Sequence, residues 1–169
     1  MSDRQTAAKR PVSALLTGPY GHPFHPILVT VPIGAWTASF VFDIGSRAAS
    51  GASYLVRSSS WLIVIGIVGA LAAASVGLLD FFTIPAGTPA FRTGLVHLTL
   101  NVAITAAYAV NAFWRGGEQD QVAIGPIVLS AVSLGALAIS GYLGGKLAFR
   151  YGVRVAEEHD QAEGFEPRS

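Results

Sequence analysis

The chain has no cysteine, one methionine at its first position, and only 12% charged residues among its 169. Without cysteine it can form no disulfide, no cysteine-ligated iron-sulfur cluster and no thioether-attached haem. Any cofactor has to be held by His, by oxygen or other nitrogen ligands, or by packing. The formal net charge of +1 and the scatter of cations between apolar runs give no continuous basic face, so nucleic acid is not expected as a partner. Also missing are a Gly-rich phosphate loop, a Ser in a nucleophile-elbow pattern and an HExxH pair. That leaves no visible hydrolytic or phosphoryl-transfer site, and at most a redox role.

What the chain does have is apolar length. Hydrophobic residues make up 51% of it, and the surplus has to face lipid. One membrane span takes roughly 20 residues, so several are needed. The runs predict an all-α, integral membrane four-helix bundle over 21–155, with spans at about 26–44, 59–82, 92–114 and 122–145. Pro23 and Pro26 suit the start of the first span, and Pro32 is placed to kink it. Pro85, Gly87 and Pro89 crowd the link at 83–91, so the third span returns antiparallel beside the second. Gly69, Ala73 and Gly77 form a small-residue stripe that admits a neighbouring helix or a flat ligand. Trp61, Trp114, Tyr20 and Tyr142 fall near span ends, as interfacial aromatics do. Residues 1–20 read as an uncleaved polar tail and 156–169 as an acidic disordered one.

Four spans bring both termini to one side. That side carries Arg4, Lys9, Arg10, Arg92, Lys146, Arg150, Arg154 and Arg168, against Arg47, Arg57 and Arg115 on the other, which predicts cytoplasmic termini. Lys146, Arg150 and Arg154 are read as anchors to anionic lipid headgroups.

A titratable group inside a span costs about 2.5–3.5 kcal/mol at the helix centre, so each needs a reason. His22 and His25 lie at the start of the first span, Asp80 about one turn inside the end of the second, and His97 about one turn into the third, with Asn101 one turn deeper. These share one level. The two His of GHPFHP, three residues apart, point to one side if the first turn is helical. Asp80 is expected to accept a proton from His97. Asp43, about 27 Å from His25 at helical rise, belongs near the opposite surface.

The segments GHPFHPILVTVPIGAW, GLLDF, HLTLN and SGYLGGKLAFRYGVRV, in this order, resemble the bacterial membrane family known as domain of unknown function twenty-two thirty-one. The resemblance spans 21–155. It implies a four-helix domain of the bacterial inner membrane, grouped with the two-haem membrane cytochromes, with relatives that join it to a Rieske iron-sulfur module. It marks His22, His25, Asp80, His97 and Asn101, and a loop-like end of the fourth span over 141–155. Two bis-His haems need four His in the bundle; this chain has three, the fourth being His159 in the tail. One haem remains. The first expectation is therefore an electron-transfer subunit with a single b-type haem on His97 and His25 or His22, with Asp80 and Asn101 supporting the ligands. Small residues on the second and fourth spans would make room for it. The alternatives are a non-haem metal site of His22, His25, Asp80 and His97, or an accessory membrane protein that binds no cofactor.

Overall fold

The computed structural model describes residues 3–11, 17, 18, 21–116, 120–162 and 165. Four helices are long and apolar enough to cross a membrane. The first span consists of α2 (Phe24–Leu28) and α3 (Thr30–Ala48), and a short α1 (Asp3–Lys9) precedes it. The others are α4 (Ser53–Phe82), α5 (Pro89–Trp114) and α6 (Ile124–Gly145), the last extended by a π-helical turn (Lys146–Arg150). A five-residue α7 (Glu158–Ala162) lies in the acidic tail. Consecutive spans pack side by side and the first closes on the fourth, giving a ring of four. The chain is a multi-pass membrane protein.

The bounds follow from local chemistry. A helical amide at position 32 would bond to the carbonyl of Leu28, but Pro32 has no N–H and its ring crowds that carbonyl. The expected kink is thus a break at Val29, and Thr30 Oγ1 donates to Ile27 O at 2.7 Å across it. Helix α4 starts six residues before the expected span. No breaker stands between Gly51, which turns the chain at φ +65°, and Pro85, so the polar first turns stay helical. Helix α5 also starts early, at Pro89, because Thr88 Oγ1 accepts the amide of Phe91 at 3.1 Å and proline suits a first helical position. The loop-like end expected over 141–155 begins only after Arg150, and directly beyond Gly145 the backbone stays helical. It widens into the π turn, with Tyr151 N bonded to Lys146 O at 3.2 Å.

The centre of the bundle is apolar and tightly closed. Trp36 of α3 stacks on Tyr108 of α5 with ring centres 4.0 Å apart, and Ile63 and Ile104 complete the cluster. The small-residue stripe of α4 takes the first span at close range. A Cβ on Gly66 would sit 2.2 Å from Trp36 Nε1, and one on Gly69 would sit 2.6 Å from Val31. At Gly69 this stripe is thus occupied by the first span, while Gly77 further along faces the His25 ring. Large apolar side chains such as Val41, Val68, Val102 and Val132 point outward from all four spans, into lipid. Trp61, Trp114 and Tyr142 are exposed as well, while Tyr20 lies outside the described residues.

The two tails meet. Arg154 adopts φ +58°, which turns its amide to Ala8 O at 3.1 Å, and Lys9 Nζ donates to Ala156 O at 3.4 Å. Residues 1–20 thus include a short helix docked on the segment after the fourth span. Of the tail expected to be disordered, 158–162 is helical; 163, 164 and 166–169 lie outside the described residues.

Candidate functional site

Two polar clusters occupy opposite ends of the bundle. At the first, the break at Val29 leaves α2 as a separate turn lying against α4, and it delivers the ring of His25 to the α4 backbone. His25 Nδ1 is 2.9 Å from the carbonyl of Ala73. The ring lies over Gly77, where a Cβ would come within 2.7 Å of it. Across the bundle, His97 Nδ1 is 2.9 Å from the carbonyl of Ser140 and 3.0 Å from its hydroxyl, with Gly144 beside the ring. A helix carbonyl whose own lone pair is directed at a ring nitrogen can only accept, so each Nδ1 carries the proton and each Nε2 keeps its lone pair. The two half-buried rings are neighbours, with centres 6.4 Å apart and planes at 81° in an edge-on arrangement.

Asn101 supports His97 directly. Its Nδ2 donates to the His97 carbonyl at 2.8 Å and to Ser140 Oγ at 2.6 Å, and lies 3.3 Å from His97 Nε2. Asp80 does not serve His97 as expected. Its carboxylate pairs with Arg154 Nε at 2.8 Å, because the π turn and the left-handed Arg154 fold that guanidinium back under the bundle end. Arg154 therefore has an internal partner in Asp80. His22 parts company with His25 for a simple reason: helix begins only at Phe24, so the two rings share no helical face. His22 instead lines a cavity between the tails, with Lys9, Arg10 and Arg154. The expected metal group of His22, His25, Asp80 and His97 is not assembled; among the described residues no three His, Asp or Glu are gathered closely enough to hold a metal ion.

The second cluster, at the far end, was not anticipated. Asp43 of α3 and Arg115 at the end of α5 form a buried, two-pronged ion pair, with Arg115 Nη1 on Asp43 Oδ1 at 2.6 Å and Nη2 on Oδ2. Ser59 of α4 donates to the same carboxylate, and accepts from Arg115 Nη1 at 2.8 Å. Arg115 Nε donates to Asn111 Oδ1 at 2.6 Å, and Asn111 Nδ2 reaches Pro126 O at 2.8 Å and Ser130 Oγ at 3.0 Å on α6. Every span contributes. One turn inward, Ser39 Oγ and Tyr108 Oη are buried with no hydrogen-bond partner among the described residues.

A family model for membrane proteins, described as "Predicted membrane protein (DUF2231)", matches residues 21–157. The chain belongs to this family. The match begins at the GHPFHP segment and ends just past Arg154, so it takes in both His rings, Asp80 with its arginine partner, and the far ion pair. No curated protein and no solved structure matches the chain.

Proposed function

We propose that the chain is a membrane electron-transfer subunit that holds one b-type haem between His25 and His97. The observation that carries this reading is the neighbouring pair of imidazoles, each fixed through Nδ1 to a main-chain carbonyl. Two imidazoles on opposite sides of one metal, with metal–nitrogen bonds of about 2.0 Å, have ring centres roughly 6 Å apart; here the separation is 6.4 Å. The donor set therefore fits a bis-His iron. When bound, haem supplies a one-electron couple whose potential its ligands and burial set. The chain's own residues position the ligands: Ala73 and Ser140 hold the rings by their carbonyls, while Gly77 and Gly144 leave the rings room against their helices. Asn101 steadies His97 from the next turn, and its 3.3 Å contact to Nε2 is weak enough for a metal bond to replace.

The cation excess at this end argues that it faces the cytoplasm of a bacterial inner membrane. The far end's count falls further, since Arg115 is buried with Asp43. The partner on this reading is a redox protein at that face, of Rieske type where the family resemblance extends to it.

A second reading rests on the same carbonyl contacts. His25 joins the first span to α4 and His97 joins α5 to α6, which an accessory membrane protein without cofactor would use simply to pack its helices. An absorption spectrum of the detergent-purified protein, with metal analysis on the same sample, separates the two. The haem reading expects a sharp Soret band and iron, and a colourless, iron-free preparation from haem-replete cells leaves the packing reading.

A further inference from the structure

The haem reading does not use the cavity that the two tails line beside the bundle end. Its volume is about 520 Å³, and Lys9, Arg10, His22, Arg154 and Glu157 line it. With Arg154 paired to Asp80 behind it, Lys9 and Arg10 against Glu157 still leave the lining net positive. The walls are fixed by bonds between segments far apart in sequence: Arg154 N to Ala8 O at 3.1 Å, Arg154 Nη1 to Lys9 O at 3.3 Å and Lys9 Nζ to Ala156 O at 3.4 Å. Gly21 and Arg154, both with positive φ, turn the two segments toward each other.

The cavity's level matters as much as its charge. His22 and Pro23 stand immediately before the first span, which opens at Phe24, and Arg154 follows the fourth, which closes at Arg150. The cavity therefore sits where headgroups lie, and Phe24 and Phe149 at the ends of those two spans are exposed toward the acyl region. A random surface scatter of cations would lack this register with the spans.

We infer that this cavity binds the phosphate group of an anionic molecule, with Lys9 and Arg10 supplying the charge and Arg154, braced from behind by Asp80, supplying the wall. An anionic phospholipid headgroup and a free phosphate share that chemistry. The test uses the delipidated full chain in detergent, with native mass spectrometry and a fluorescent phosphatidylglycerol as readouts. Phosphatidylglycerol is expected to bind one per chain and at least about 10-fold tighter than zwitterionic phosphatidylcholine, because surface cations attract anionic headgroups and not neutral ones. The charge-neutral double variant K9Q/R10Q is expected to lose that preference, while R57Q, at the other end of the bundle, keeps it. Displacement of phosphatidylglycerol by millimolar inorganic phosphate would assign the site to the free anion, and persistence would assign it to the lipid; both support a phosphate site. Equal binding of the two lipids without any inorganic phosphate binding would overturn the inference, as would parental affinity in K9Q/R10Q. Should the double variant not fold, R10Q alone changes a single exposed side chain and reads the same loss.

Discussion

The two ends of the bundle place polar groups in an apolar protein in opposite ways. At the far end the charged groups of Asp43 and Arg115 are buried, and their oxygens and nitrogens are spent on one another and on Ser59 and Asn111, which in turn bond carbonyls of neighbouring spans. At the near end the Nδ1 atoms of His25 and His97 each meet a main-chain carbonyl, His97 Nε2 has only a 3.3 Å contact with Asn101, and the cation that supports Asp80 arrives from a tail. A polar cluster that satisfies itself locks helices together. One that holds two imidazoles with ring centres 6.4 Å apart is the cluster on which the haem proposal rests. Position in the membrane does not distinguish the two ends; how the hydrogen bonds are allocated does.

If the far end is a lock, removing one half of it should be the most damaging change in the molecule. Arg115→Ala leaves the Asp43 carboxylate buried and unpaired, and is expected to cost about 3–5 kcal/mol of bundle stability, read as a large fall in melting temperature in detergent. A loss below about 1 kcal/mol would mean that water reaches Asp43 and that the far end is no lock.

This ion pair also marks the limit of what the sequence discloses. The four spans are legible because lipid imposes long apolar runs, and the short Pro- and Gly-rich link makes α4 and α5 neighbours. The depth argument that grouped His25, Asp80 and His97 would equally have grouped Asp43 near the end of the first span, Ser59 near the start of the second and Arg115 at the end of the third. In the sequence, however, a cation at a span end reads as a flanking charge, and Arg47, one turn from Asp43 on the same helix, is the nearer counter-ion. The Asp80–Arg154 pair was hidden for another reason. It depends on a π turn and a left-handed residue after Arg150, and backbone reversals of that kind have no hydrophobic signature. The spacing of His22 and His25 puts both rings on one side only if the first turn is helical, and helix begins only at Phe24.

The middle of the bundle sharpens the comparison, because it separates packing from polar bonding. Gly66→Ala pushes a methyl group into the Trp36 ring, which is itself wedged against Tyr108, so relief requires a shift of the first span. The expected cost is about 1–3 kcal/mol, with the same change at Gly135, where nothing lies within 4 Å of the added carbon, near neutral as the control. Equal melting temperatures for the two variants would refute close approach along α4.

At the near end the expected stability effects are smaller. Asp80→Asn weakens a partly exposed ion pair and should cost about 1–2 kcal/mol, between the values for exposed and fully buried pairs. Since His97 is held by Ser140 and not by Asp80, the same variant should keep its ligand-binding properties, and a loss of cofactor affinity would restore a direct role for Asp80. The smallest change expected is Tyr108→Phe, which removes a buried hydroxyl lacking a partner and should leave stability within about 1 kcal/mol of the parent, on the stabilising side. A clear destabilisation would show that a bound water completes the network there.

The most direct test of the account asks the near end to do what the far end does not. Haem is titrated into the purified parent, His25→Ala and His97→Ala proteins, with the Soret absorbance followed and the melting temperature recorded for each. The account predicts saturation at one haem per parent chain with a low-spin spectrum, and loss of most binding in either variant while the bundle, held from its far end, stays folded. Undiminished haem binding in both variants, or no binding by the folded parent, would contradict it.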